Sequence, residues 1–184
     1  MNQVELKKAA HLAFIGQLLN AISALIVLIG CWTMVKSGSV DSFIGGGVFT
    51  ILGGLLGIGA FVVYFIAALK FPAHVDAEDK MGAQLFMASA CISLAAAVFF
   101  FLPTFAAILN ILSTLSAAAG FFLLSNSKHI NAKVPFLILV GTAGLLLLNT
   151  IFSLASVGDI IFYLPVIIYG AACYAWKQIE TSLE

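Results

Sequence analysis

The sequence predicts an all-α, polytopic integral membrane protein with six transmembrane helices arranged as three helical hairpins and both termini in the cytoplasm. Residues 1–184 read as one transmembrane domain. Three observations predict this. The chain is 62% hydrophobic and only 9% charged, with a mean hydropathy of +1.15, which excludes an ordinary soluble globular domain. Its lysines and carboxylates fall only between long apolar runs or at the chain ends. There are six such runs, and each is near or above the ~20 residues that a helix needs to cross ~30 Å of hydrocarbon.

The first run, Ala9 to Val35, follows Lys7 and Lys8. It outlasts the roughly 7 to 15 apolar residues of a secretory signal and continues through Trp32 and Met34, as a retained span does. The second covers Phe43 to Phe71. Met81 to Ser125 is a continuous apolar stretch about twice one crossing long, and Pro103 is where it turns back, because proline suits the first turn of a helix and disrupts the interior. The third and fourth spans are therefore 81–102 and 103–125. The fifth runs from Val134 to Ser156. The sixth, Ile160 to Trp176, is the shortest; Asp159 is placed to cap it and Pro165 to kink it.

Orientation follows from the lysines, since the chain has no arginine. Lys7, Lys8, Lys70, Lys80, Lys128, Lys133 and Lys177 fall on one side of such a bundle and Lys36 alone on the other. The positive-inside rule makes the lysine-rich side cytoplasmic. A cell membrane is implied, with a bacterial plasma membrane favoured over an organelle.

Where polar residues could carry chemistry, the simpler reading prevails. Cys31, Cys91 and Cys173 lie at different depths and form no CxxC pair, which argues against a disulfide or a thiolate metal site. His74, Asp76, Glu78 and Asp79 share one loop, where Asp76 or Asp79 is expected to cap the third span in preference to binding metal. His11 stands at the cytoplasmic end of the first span, where interfacial hydrogen bonding is the simpler reading than haem ligation or pH sensing. No catalytic, cofactor or metal residues are identified, and no enzyme activity or nucleic-acid partner is expected.

Helix association in lipid relies on close approach at small residues and on interhelical hydrogen bonds. At 100° per residue, Gly46, Thr50, Gly53 and Gly57 share one face of the second span, a helix-packing face with Gly53 and Gly57 as a GxxxG pair. Gln17 and Asn20 stand on the small-residue face of the first span, Asn110 on the fourth and Asn149 on the fifth. Together with Thr50 these residues mark a candidate polar pathway or ligand cavity. Below His11 the spans hold no ionisable Asp, Glu, Lys, Arg or His, which disfavours proton pumps, voltage sensors and ion-coupled carriers.

Two functions fit. The first is a non-enzymatic protein that acts through helix-helix contacts in the bilayer, as an accessory or scaffold subunit of a larger membrane complex or as a homo-oligomer. The alternative is a passive channel, facilitator or binding protein for a neutral or lipidic small molecule, using the intramembrane Asn, Gln and Thr stripes.

Overall fold

Among the described residues there are six α-helices: α1 (Gln3–Lys36), α2 (Val40–His74), α3 (Lys80–Val98), α4 (Pro103–Ser125), α5 (Lys133–Leu154) and α6 (Ile160–Ser182). This computed structural model describes residues 2–36, 40–155 and 160–183, without the side chains of 36, 40–42 and 160–162; no strand occurs among them. Asp159 and Ser156 lie outside the described residues. Five helices, α1 to α5, are long and apolar enough to cross a membrane.

The elements differ from expectation mainly at their ends. α1 and α2 contain 34 and 35 residues; at 1.5 Å per residue each is about 50 Å long, well beyond the hydrocarbon thickness. α2 continues through Pro72 to His74, and the Asn2 N–H donates to the His74 carbonyl at 3.1 Å. α3 stops at Val98, short of Leu102. Phe99 to Leu102 form a turn in which the Leu102 N–H donates to the Phe99 carbonyl at 2.9 Å. Pro103 then opens α4, where its missing N–H costs nothing.

Asp79 occupies the N-cap position of α3 but makes no side-chain capping bond there. Its carboxylate instead accepts a 2.6 Å hydrogen bond from the Ser127 hydroxyl. The same Ser127 oxygen accepts from the N–H groups of His129 and Ile130 at 3.1 and 3.0 Å. The expected cap is thus a cross-link between two loops. Asp76, the other expected cap, faces His129 across 3.3 Å.

Small residues seven apart define the closest helix contacts. On α1, Gly16, Ser23 and Gly30 meet α2 in reverse order at Tyr64, Gly53 and Gly46. A Cβ at Gly16 would sit 2.9 Å from the Tyr64 Cβ, and one at Gly30 would sit 2.7 Å from the Gly46 carbonyl oxygen. Midway, the Ser23 hydroxyl donates to the Gly53 carbonyl at 2.7 Å, and a Cβ at Gly57 would lie 2.9 Å from that hydroxyl oxygen. The Thr50 hydroxyl is directed back to the Gly46 carbonyl of its own helix at 2.9 Å. The α2 glycine face is therefore filled by α1.

The same construction recurs between α3 and α4. Gly82 and Gly120 oppose one another so closely that a Cβ on either would lie within 3 Å of the other's carbonyl oxygen. Seven residues along each helix, the Ser113 hydroxyl donates to the Ser89 carbonyl at 2.8 Å. With no hydrophobic gain from burying helix against helix in lipid, such backbone proximity and interhelical hydrogen bonding hold the seams.

Each helix packs on two neighbours: α1 on α2 and α6, α3 on α2 and α4, α5 on α4 and α6. Among the described residues no other pair of helix backbones comes close, so the six form a closed ring. At the lysine-rich end its interior is filled by Trp176, which is fully buried. The Trp176 ring centroid lies 5.5 to 6.5 Å from those of Tyr64, Phe71, Phe86, Phe121 and Phe136, contributed by four other helices. Mostly edge-on arrangements of this kind add attraction beyond area burial.

Candidate functional site: a chamber inside the helix ring

Beyond the aromatic plug the ring encloses a chamber of about 340 Å³, to which all six helices contribute. It starts at Phe121, Leu139 and Ala172 and reaches Asn110 and Thr150. Phe121 and Asn110 are eleven positions apart on α4, about 16 Å at the helical rise. Gln17, near the plug, is 7% exposed, whereas Asn110 at the far end is exposed.

The sequence-derived residues separate into three groups. Gln17, Asn20 and Asn110 line the chamber. Thr50 does not; it belongs to the α1–α2 seam, near Gly30. Asn149 also stands outside the lining, with its Oδ1 buried and without a hydrogen-bond partner. The helix-packing glycines Gly46, Gly53 and Gly57 lie against α1, away from the chamber.

Sequence reasoning passed over Ser89 and Ser93 on α3 and Thr150 on α5, all of which line the chamber. The spacing of Ser89 and Ser93, four residues apart within the apolar part of α3, was the available signal. Tyr64 and Tyr169 complete the wall.

Hydrogen bonding fixes what the Ser and Thr hydroxyls offer the chamber. Ser89, Thr114, Thr142 and Thr150 donate their hydroxyl protons to carbonyls one turn back on their own helices, at 2.7 to 3.0 Å. Ser113 donates to the Ser89 carbonyl, so in the 2.7 Å contact between Ser93 and Ser113 the donor is Ser93. Every Ser and Thr proton in the lining is therefore used within the protein, and what these oxygens offer the cavity is lone pairs. Gln17 Oε1 is a further acceptor, buried and without a partner. An unsatisfied buried carbonyl of this kind costs roughly 1 to 3 kcal/mol.

A second cavity of about 250 Å³ adjoins the first and shares Asn20 and Tyr169 with it. Its other walls are Ser23, Ala24, Val27, Gly57 and Pro165.

At the lysine-rich end, His11 Nδ1 approaches Glu180 Oε1 to 3.0 Å, and Lys177 Nζ approaches Glu180 Oε2 to the same distance. Lys177 also stands 5.3 Å from the centre of the Phe14 ring. Among the described residues no group of three or more His, Cys, Asp or Glu side chains converges as metal ligands would. The loop carboxylates Asp76 and Glu78 both face His129, at 3.3 and 3.9 Å. The three cysteines are free thiols.

Comparison of the chain with protein-family models, curated proteins and solved structures gives no match.

Proposed function

We propose that this protein is a non-enzymatic, membrane-embedded binding protein or passive facilitator for a small neutral molecule, held in the chamber inside the helix ring. The observation that carries this reading is the convergence of Gln17, Asn20 and Asn110, from two helices well separated in sequence, on one cavity with a row of Ser and Thr oxygens. If these residues served only as glue between helices, their polar atoms would be paired across helix seams, as Ser23 is with Gly53. The Gln17 side chain does bond Tyr64 across the α1–α2 seam, but its Oε1 stays unpaired and buried on the cavity wall.

The lysine distribution supports a topology of six crossings in three hairpins with both termini cytoplasmic, in a cell membrane such as a bacterial plasma membrane. In that orientation the plug around Trp176 closes the chamber on the cytoplasmic side, and a ligand enters from the opposite side or laterally from lipid.

The test is thiol labelling in a version lacking Cys31, Cys91 and Cys173. Single cysteines at Asn20 and Asn110 are expected to react with a water-soluble maleimide applied from the side opposite the lysines, and one at Asn149 to remain unreactive. Protection of all three from both sides would overturn the reading.

A second reading, association through helix-helix contacts as a scaffold subunit or homo-oligomer, has its own support. Gly45, Gly47, Gly54 and Gly59 on α2 and Gly141 and Gly144 on α5 have nothing within 4 Å of the position a Cβ would take. These outward faces remain open to another helix after the chain's own seams are filled. Native-membrane copurification in mild detergent tests it: a chain recovered alone as a monomer counts against it.

A further inference from the structure

The polarity of the chamber specifies the chemistry of its ligand. A molecule that brings only acceptors could pair with the amide N–H groups of Asn20 and Asn110 or the Tyr169 phenol, but it would leave the bare Oε1 of Gln17 without a donor and face the lone pairs of Ser89, Thr114, Thr142 and Thr150. Acceptor against acceptor is repulsive, and in a low-dielectric interior an unmade hydrogen bond is expensive. A molecule carrying O–H groups supplies one donor per hydroxyl to these oxygens while its own oxygens can accept from the lining amides. A cation would satisfy them too, but no carboxylate lines the chamber to balance its charge. Between the oxygens stand Leu139, Ala143 and Leu146, which suit a carbon skeleton.

We propose, resting on the binding reading above, that the chamber recognises an uncharged vicinal diol, the chemistry of glycerol and of a monoacylglycerol headgroup. Gln17 Oε1 and the Thr142 hydroxyl oxygen accept from the diol. The volume of about 340 Å³ corresponds to roughly ten waters' share of the liquid, ample for such a group. The adjoining cavity, joined at Asn20 and Tyr169 and walled by Ala24, Val27 and Pro165, provides the start of a path for an acyl chain if the diol belongs to a lipid.

The experiment measures scintillation-proximity binding to the purified full chain in mild detergent, with three radiolabelled probes. These are free glycerol, 1-monooctanoylglycerol, and the same lipid with both hydroxyls O-methylated, which retains acceptors and shape but loses both donors. The expected result is binding of at least one diol and none of the dimethyl ether, with Thr142→Val and Gln17→Met each weakening the diol roughly three- to tenfold and the outward-facing Gly54→Ala leaving it unchanged. Binding of free glycerol alone identifies a soluble polyol as the source; binding of the monoacylglycerol alone identifies a lipid.

Equal binding of the dimethyl ether, or full affinity in Thr142→Val, overturns the inference; the isosteric valine keeps the test decisive if Gln17→Met fails to fold. If neither diol binds although a cysteine at Asn110 labels with maleimide, the diol assignment fails and the binding reading stands. If Asn110 and Asn20 are also unreactive, both fail.

Discussion

His11 Nδ1 lies 3.0 Å from Glu180 Oε1, a contact between residues 169 positions apart that ties α1 to α6. It closes the ring at the end where Trp176 fills the interior. The Glu180 side chain is only 11% exposed, while its partners His11 and Lys177 are each 48% exposed. Glu180→Ala removes the shared acceptor of both and is expected to cost about 2 kcal/mol, within the range for hydrogen bonds to a charged group. Unfolding of the purified protein in detergent measures this. A loss no larger than that of an exposed control such as Glu78→Ala would mean that the contact does not hold α1 and α6 together.

The seams between α1 and α2 and between α3 and α4 are predicted to reject even one methyl group. Gly30→Ala brings a Cβ to 2.7 Å from the Gly46 carbonyl oxygen, and Gly120→Ala brings one to 2.7 Å from that of Gly82. Both obstacles are backbone, so the helices must separate, at a cost of about 1 to 3 kcal/mol for overpacking. Gly54→Ala meets nothing within 4 Å and is expected to leave stability unchanged or slightly raised. Unfolding in detergent is the measurement, and similar values for all three variants would contradict the seam assignment.

Ser127 joins the loop before α3 to the loop before α5 through one oxygen that donates to Asp79 and accepts from two backbone N–H groups. Ser127→Ala leaves the buried Asp79 carboxylate without this donor and is expected to destabilise by about 1.5 to 3 kcal/mol. Asp79→Asn retains an acceptor and should cost less. Limited proteolysis of the loop between α4 and α5 provides a local readout: faster cleavage in Ser127→Ala than in Asp79→Asn is expected.

Much of this architecture was legible in the sequence because the bilayer constrains it so strongly. Every backbone polar group in hydrocarbon must be satisfied within its own segment, so apolar runs bounded by lysines read directly as helices. The division of the α1 face was less legible. A rotation of 100° per residue puts Gly16, Gln17, Asn20 and Ser23 together on one broad face, whereas a seven-residue repeat drifts about 20° per heptad from that frame. In the structure Gly16, Ser23 and Gly30 follow the heptad into the α2 seam, leaving Gln17 and Asn20 turned toward the chamber. The same effect separates Thr142, which lines the chamber, from Asn149 seven residues later, where Thr150 takes the place at the wall. The pairing of His11 with Glu180 could not be read from spacing at all, since it depends on the first and last helices being neighbours.

Trp176 is predicted to be both the main structural anchor of the bundle and the seal on its chamber. It is fully buried among aromatic rings from α2, α3, α4 and α5. Removing the ring in Trp176→Ala should therefore cost about 3 to 5 kcal/mol, as for other large aromatic truncations in a packed core. Trp176→Phe should cost considerably less, because the ring contacts largely persist. The seal can be assayed separately from stability. With a single cysteine at Asn20 and the aromatic plug intact, maleimide applied from the lysine-rich side should not react. In Trp176→Ala the gap connects that side to the chamber, and labelling from it should appear while labelling from the opposite side is retained. If Trp176→Ala folds and the cysteine stays protected from the lysine-rich side, the remaining rings of Phe86, Phe121 and Phe136 seal the chamber unaided, and Trp176 serves packing alone.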